Sequence, residues 1–439
     1  MHRREFLKLG LVGAAGAATA SGIQAIPNRH RGSEPSSPPL DSSSDSSPDT
    51  QPDTKPDTKP DTTVRQVAAA PTKSRLRTLV VIELDGGNDG LNTLVPIESG
   101  VYRDLRPTTF LESKDLHKVA DGFGLHPALA RLAKRGTAAV AGVGVAKPDG
   151  SHFEMLHRWW MGDSGGDGGP QYGFLGRLAD RIGDPHAPAV GIGLGDNFNP
   201  ALSAAKVATI GLGDLSVVDL FVPKTDDAML TAFQKGIDGL SRSPLASIPL
   251  AAPVASGMRL AVETAGLLNH QSGEQKDLGG GDLGKALSQA ARLLSADVGV
   301  RIVQVTMGGF DTHTGHRDQH ARLLGMFDEA VNAFLDELDA QGLGATTLVA
   351  TTSEFGRRTA DNGSNGLDHG AASCALLFGP VNAGVHGEQP PLDRLDDGGN
   401  LRTTVDLASY YATLASWLGV DPTGVLAGSP RALNGVLRT

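Results

Sequence analysis

From residue 75 onward, short apolar runs alternate with stretches of helical periodicity, and this alternation limits the fold more than any other feature. The strand-like runs are "LRTLVVIEL" (76–84), "AAVAGVGV" (138–145), "APAVGIGL" (187–194), "VATIGL" (207–212), 298–307, "ATTLVATTS" (345–353) and "SCALLFG" (373–379). Between them lie helical patterns at "PALARLAKRG", "SHFEMLHRWWMG" (151–162), 226–296 and "DLASYYATLASWLG". A long amphipathic helix follows residue 316, with Leu323, Phe327, Ala330, Val331, Phe334 and Leu338 on one face. Strand and helix in alternation predict an α/β domain of three layers, αβα, around a mostly parallel mixed sheet. No linker-like composition interrupts 75–436, so this region reads as one domain.

The first 74 residues are of another kind. "MHRREFLKLGLVGAAGAATASGIQA" has a twin arginine (Arg3, Arg4), a short Ala/Gly-rich apolar stretch and small-residue exit sites at Ala20 and Ala25. This is the pattern of a twin-arginine signal peptide over 1–25, so the chain is expected to be exported to the periplasm or beyond. The apolar stretch is shorter than the ~20 residues that a membrane span requires, so no span is expected after cleavage. Residues 26–74 are rich in Pro, Ser, Asp and Thr and repeat the unit P-D-T-K, with almost nothing apolar to bury. Such a segment cannot offset its ordering entropy and reads as a disordered spacer. Net charge is −10 with no basic stripe, which argues against a nucleic-acid partner, and the single cysteine, Cys374, excludes an internal disulfide and a multi-cysteine zinc site.

In sheets of this kind ligands gather beyond the carboxyl ends of the strands. Four polar clusters fall there: "DGGNDGLN" (85–92), "KPDGSHFEM", "GGFDTHTGH" (308–316) and "SEFGRR" (353–358). A fifth, "GLDHG" (366–370), reaches the same edge only if strand 373–379 runs antiparallel to its neighbours. Were Asp85, Asp89, Asp311, Glu354 and Asp368 to converge, each pair of charges about 4 Å apart would repel by roughly 4 kcal/mol. A cation is then required, and His313, His316 and His369 supply nitrogen beside the carboxylates. That mixture without thiolate suits one or two divalent ions, Zn, Mn or similar. Blander roles exist for the same residues. Asp311 can cap the following helix, and Ser151 with Glu154 matches a capping box. Arg357 suits either the anionic group of a substrate or a surface ion pair. The string "GDSGG" within 161–170 echoes a serine-protease nucleophile, but it follows a helix and lacks that fold's other marks.

The ordered set "GGNDGLN", "SHF", "DTH…H", "SEFGR" and "DHG" behind a twin-arginine signal resembles the exported family called domain of unknown function 1501, over roughly residues 77–420. That family is similar to the alkaline-phosphatase-like, or sulfatase-like, superfamily. The resemblance implies a mixed sheet with one or two divalent metals at one edge. By it Asp89, or Asp85, would be the first-strand ligand, and Asp311, His313 and His316 would form one metal corner. Glu354, Asp368 and His369 would complete the site. Ser151 would stand at the position of the nucleophile, with His152 as an alternative ligand or acid. Relatives often lack an acid where Asp85 stands, which favours Asp89, and Gly150 occupies a position where arginine is expected. The implied activity is metal-dependent hydrolysis of small phosphate or sulfate esters, by an activated Ser or water. The alternative is a non-catalytic exported protein that keeps the fold, with a structural metal and a cell-surface partner.

Overall fold

The computed structural model describes residues 76–165, 169–184, 187, 189–195, 198–212 and 276–438, with 232, 235, 236 and 239 as isolated positions between. The expected signal peptide, the spacer and most of the helical pattern over 226–296 lie outside the described residues. So does part of the "GDSGG" segment.

The strands are β1 (Thr78–Leu84), β2 (Leu94–Pro96), β3 (His117–Ala120), β4 (Phe123–Leu125), β5 (Ala138–Gly144), β6 (Gly191–Leu194), β7 (Thr209–Leu212), β8 (Ile302–Met307), β9 (Thr347–Thr352), β10 (Ser373–Phe378), β11 (Gly384–His386) and β12 (Val405–Asp406). The helices are α1 (Gly90–Thr93), α2 (Gly100–Leu105), α3 (Ala130–Arg135), α4 (His152–Met161), α5 (Phe174–Ile182), α6 (Asp282–Ser295), α7 (His316–Ala340) and α8 (Leu407–Trp417). Among the described residues the main sheet has the order β11-β5-β10-β9-β1-β8-β6-β7, with β12 also beside β5. β1 is central, parallel to β8 and β9 in the registers Leu79↔Ile302 and Leu79↔Leu348. Only β10 runs against the rest, antiparallel to both β9 and β5. This is the reversal that brings "GLDHG" to the carboxyl edge.

β1 is apolar almost throughout because helices cover both of its faces. Val80, Ile82 and Leu84 pack with Leu287 of α6 and Phe327 and Phe334 of α7. Leu79 and Val81 pack on the other side with Leu178 of α5 and Leu407, Tyr410 and Leu414 of α8. The predicted face of α7 is the buried one, its six residues at most 4% exposed. Strand runs 187–194 and 207–212 are shorter than read, reduced to β6 and β7.

One unit was not legible in the sequence. β2, β4 and β3 form a separate antiparallel sheet of three short strands, with Leu91, Val95, Tyr102 and Leu111 in its own small core. Strands of three or four residues are too brief to show a period of two. Among the described residues no helix is long and apolar enough to cross a membrane.

Candidate metal centre

The β1 loop turns at Gly86 (φ 112°) and Gly87 (φ 85°), a backbone region that a side chain disfavours. Space forbids one as well. A Cβ on Gly86 would stand 2.4 Å from the Asp311 nitrogen, and one on Gly87 2.4 Å from the Phe355 ring. This close approach draws the loops after β1, β8 and β9 into one edge.

Arg357 ties them together. Buried at 1% exposure, it donates from Nε to Gly87 O (2.9 Å), from Nη1 to Leu367 O (3.0 Å), and from Nη2 to Phe310 O, Gly86 O and Asp311 Oδ1 (2.7 Å). The expected role of Arg357 as a substrate-anion binder is therefore corrected: its donors face backbone carbonyls and Asp311. Its neighbour Arg358 is exposed, and its charge reaches Asp368.

Around Asp311 three imidazoles converge. His313 Nε2 lies 3.0 Å, His369 Nε2 3.3 Å and His152 Nε2 3.6 Å from Asp311 Oδ1, and His313 Nε2 is 2.9 Å from His369 Nε2. The opposite nitrogen of each ring is held by an acceptor. His313 Nδ1 meets Asp368 Oδ1 at 3.0 Å, His369 Nδ1 meets Gly150 O at 2.7 Å, and His152 Nδ1 meets Glu354 Oε1 at 2.9 Å. A carbonyl or carboxylate accepts only, so each Nδ1 carries a proton, and in the neutral ring each Nε2 then presents a lone pair. One ligand atom each of His152, Asp311 and His369 lies within 4.8 Å of the other two, with His313 Nε2 beside Asp311 and His369, and such lone pairs and a carboxylate oxygen repel unless a cation lies between them. This donor set fits a metal, and the acceptors behind the rings are the partners that orient metal-bound histidines.

The electrostatics agree. Burial works against the charged form of Asp311, but hydrogen bonding and charge from Arg357, then His313 and His152, outweigh it and hold the carboxyl below its usual value. Hydrogen bonds from Asn362 and His313 lower Asp368 likewise. Burial lowers His369, favouring the neutral ring that a metal requires. Asp85, half-buried at the same edge, is raised by burial and by Asp311 against the pull of His152.

Two expected ligands lie elsewhere. Asp89 is buried, pairs with Arg106 through both oxygens (2.5 and 2.9 Å) and caps α1 through Leu91 N. His316 is fully buried in the first turn of α7, with Nε2 2.9 Å from Asp89 Oδ2. The expected corner of Asp311, His313 and His316 is thus divided, and at this edge Asp85 stands where Asp89 was favoured. Asp311 does not cap α7 either, because Gly315 occupies the N-cap position. Ser151 does cap α4, its hydroxyl 3.5 Å from Glu154 N, and is exposed. Glu354 is fully enclosed, its Oε1 accepting from Gly86 N (2.8 Å) as well as from His152. The resemblance implied no role for Arg106 or His320. Arg106 sits in no motif, whereas His320, four positions beyond His316 on a helix, could have been found by spacing.

Behind the edge, Glu83 accepts from Trp160 Nε1 (2.7 Å) and Asn199 Nδ2 (3.2 Å). Burial, opposed by these hydrogen bonds and assisted by Asp85 and Glu354, pushes its carboxyl up to about 7. A raised carboxyl contributes stability that is complete below the unfolded value of 4.5 and is lost as pH rises to about 7. Glu83→Gln is therefore expected to gain on the wild type across that window, with a constant difference above it. Urea midpoints of the two proteins at stepped pH check this; a difference that does not vary with pH would contradict it.

The fold is similar to several solved structures at low identity. The zinc complex of the C-terminal periplasmic domain of EcEptC from Escherichia coli is 10% identical, with TM-score 0.38 over 83% of this chain and 93% of that one. PsFucS1 sulfatase from a Pseudoalteromonas species is 12% identical, with TM-score 0.37 over 82% and 74%. A protein in the alkaline phosphatase superfamily from Vibrio parahaemolyticus is 10% identical, with TM-score 0.36 over 80% and 69%. No curated protein is a significant match. The family model described as "Protein of unknown function (DUF1501)" matches residues 204–433, more than half of the 439 residues, and takes in Asp311, His313, Glu354, Asp368 and His369. By that match the chain belongs to the DUF1501 family.

Proposed function

We propose that this chain is an exported, metal-dependent hydrolase of small phosphate or sulfate esters. The observation that carries the reading is the convergence of three imidazole Nε2 atoms and Asp311 Oδ1, with each ring's Nδ1 held from behind. Asp311, His313, His369 and His152 would hold the ion, of the Zn or Mn kind. When bound, it supplies positive charge that polarises an ester oxygen. Asp85, Asp311, Glu354 and Asp368 outnumber the one buried cation among them, Arg357, which favours a cation at this edge.

The chain's own residues divide the remaining work. Asp368, Glu354 and the Gly150 carbonyl fix the ring tautomers. Arg357 holds Asp311 to the backbone of two loops. Asp85, half-buried at the same edge, is the proposed acceptor of the proton from the attacking hydroxyl. Ser151 is the candidate nucleophile. Its hydroxyl accepts from Glu154 N yet keeps its own proton to give, and the preceding carbonyl, that of Gly150, is bonded to His369. Water fills the same role if Ser151 serves only as a cap. Export rests on the twin arginine, Arg3 and Arg4, and the apolar stretch after it.

One observation favours the second reading, a non-catalytic exported protein with a structural metal: the enclosed Arg357 offers no guanidinium to an anion. Metal analysis of the purified chain, with turnover of generic aryl phosphates and sulfates, separates the two. The expected result is bound transition metal and turnover abolished by chelator. A metal-free protein indifferent to chelator would overturn the hydrolase. Bound metal without turnover, unchanged in Ser151→Ala, would establish the second reading.

A further inference from the structure

Asp89, His316 and His320 form a second group, buried beside the first: one ligand atom of each lies within 4.8 Å of the other two, and none of the residues is more than 1% exposed. His320 Nε2 is 3.0 Å from Asn88 Oδ1, which also accepts from Thr93. An amide oxygen accepts only, so Nε2 carries the proton of His320 and Nδ1 is a bare lone pair. That Nδ1 is fully buried and has no hydrogen-bond partner. His316 Nδ1 is occupied by Thr312 Oγ1 at 2.7 Å. Its Nε2 is 2.9 Å from Asp89 Oδ2 yet not aligned to hydrogen-bond with it.

A buried nitrogen without a partner, His320 Nδ1, costs roughly 1–3 kcal/mol in a folded protein, and beside it His316 Nε2 meets the carboxylate only out of line. A proton on His316 would help Asp89 and leave His320 Nδ1 bare. An ion between the three satisfies all of them. We propose a second, buried metal site, with Asp89, His316 and His320 as ligands and a zinc-class ion as occupant.

Arg106 does not exclude it. A carboxylate has about four lone-pair positions. Arg106 uses one on each oxygen and Leu91 N another on Oδ1, which leaves Oδ2 one toward His316. The first centre is built the same way, with Arg357 behind Asp311. Two nitrogens and one carboxylate oxygen suit zinc. They do not suit Mg²⁺ or Ca²⁺, which take oxygen ligands. With Arg106 already neutralising Asp89, imidazole donors have to stabilise the added charge, and this also selects a borderline metal. The ion would pin the β1 loop to the first turn of α7. The proposal rests on these buried atoms and holds whether or not the chain is a hydrolase.

The test is ion content of the full chain by mass spectrometry after dialysis. His320→Gln is expected to lose one equivalent of zinc-class metal, and the pair His313→Ala, His369→Ala a different one, so that the triple variant binds none. Wild-type ion content retained in His320→Gln would overturn the site. Should His320→Gln fail to fold, the chelator-treated His313→Ala, His369→Ala variant titrated with zinc decides alone. It is expected to take up one equivalent with a rise in Tm, and no uptake overturns the proposal.

Discussion

His313→Ala is expected to weaken ion binding at the proposed outer centre while the protein stays folded. His313 is 40% exposed in its side chain and lies in the loop after β8, so little packing is lost with it. What goes is the Nε2 lone pair 3.0 Å from Asp311 and 2.9 Å from His369. Loss of a partner behind a ligand lowers metal affinity by about 10–100-fold, and loss of the ligand itself should exceed that. Asp368→Asn supplies the graded comparison. Its amide oxygen still accepts from His313 Nδ1 but no longer carries charge, so affinity should fall within the about 10–100-fold range rather than beyond it. Competition with a chromophoric chelator measures both affinities, and a circular-dichroism melt checks the fold. Equal affinity in His313→Ala and wild type would remove the centre around Asp311.

Arg106→Met is expected to destabilise the domain by about 3–5 kcal/mol, the cost of breaking a buried ion pair from one side. The pair is wholly enclosed, at 0% and 1% side-chain exposure. Arg106 also donates from Nε to Thr359 O (2.9 Å), from Nη1 to Asn92 Oδ1 (2.8 Å) and from Nη2 to Arg358 O (2.9 Å). Methionine fills much of the volume but leaves Asp89 charged in a site that holds its carboxyl well below the usual range, chiefly through Arg106 against the opposing effect of burial. The double variant Arg106→Met, Asp89→Leu removes the stranded charge and should recover part of the loss. Urea unfolding of both variants reads this directly. A loss below 1 kcal/mol in Arg106→Met would show that another positive charge at the Asp89, His316 and His320 group already holds the carboxylate.

The sheet was legible because its strands are long apolar runs closed by polar loops, a pattern that follows from covering both faces of β1. The antiparallel sense of β10 was legible too, as a condition for bringing Asp368 and His369 to the carboxyl edge. The partition of the candidate metal ligands was not. Asp85 and Asp89 are four positions apart, and the two positive-φ glycines between them turn the chain so that one faces the edge and the other the interior. His313 and His316 are separated by the start of α7. The first remains in the loop, and the second points inward with His320 one turn along.

Residue types and their order along the chain determined the layers, the sheet and the set of chemically able side chains, because these depend on local periodicity and on apolar area to be buried. Which nitrogens share a point in space was decided by the tertiary structure alone. A lone pair is aimed by what holds the other side of its ring, and those partners, Asp368 for His313, Gly150 for His369, Glu354 for His152 and Asn88 for His320, come from separate parts of the chain brought together only by folding.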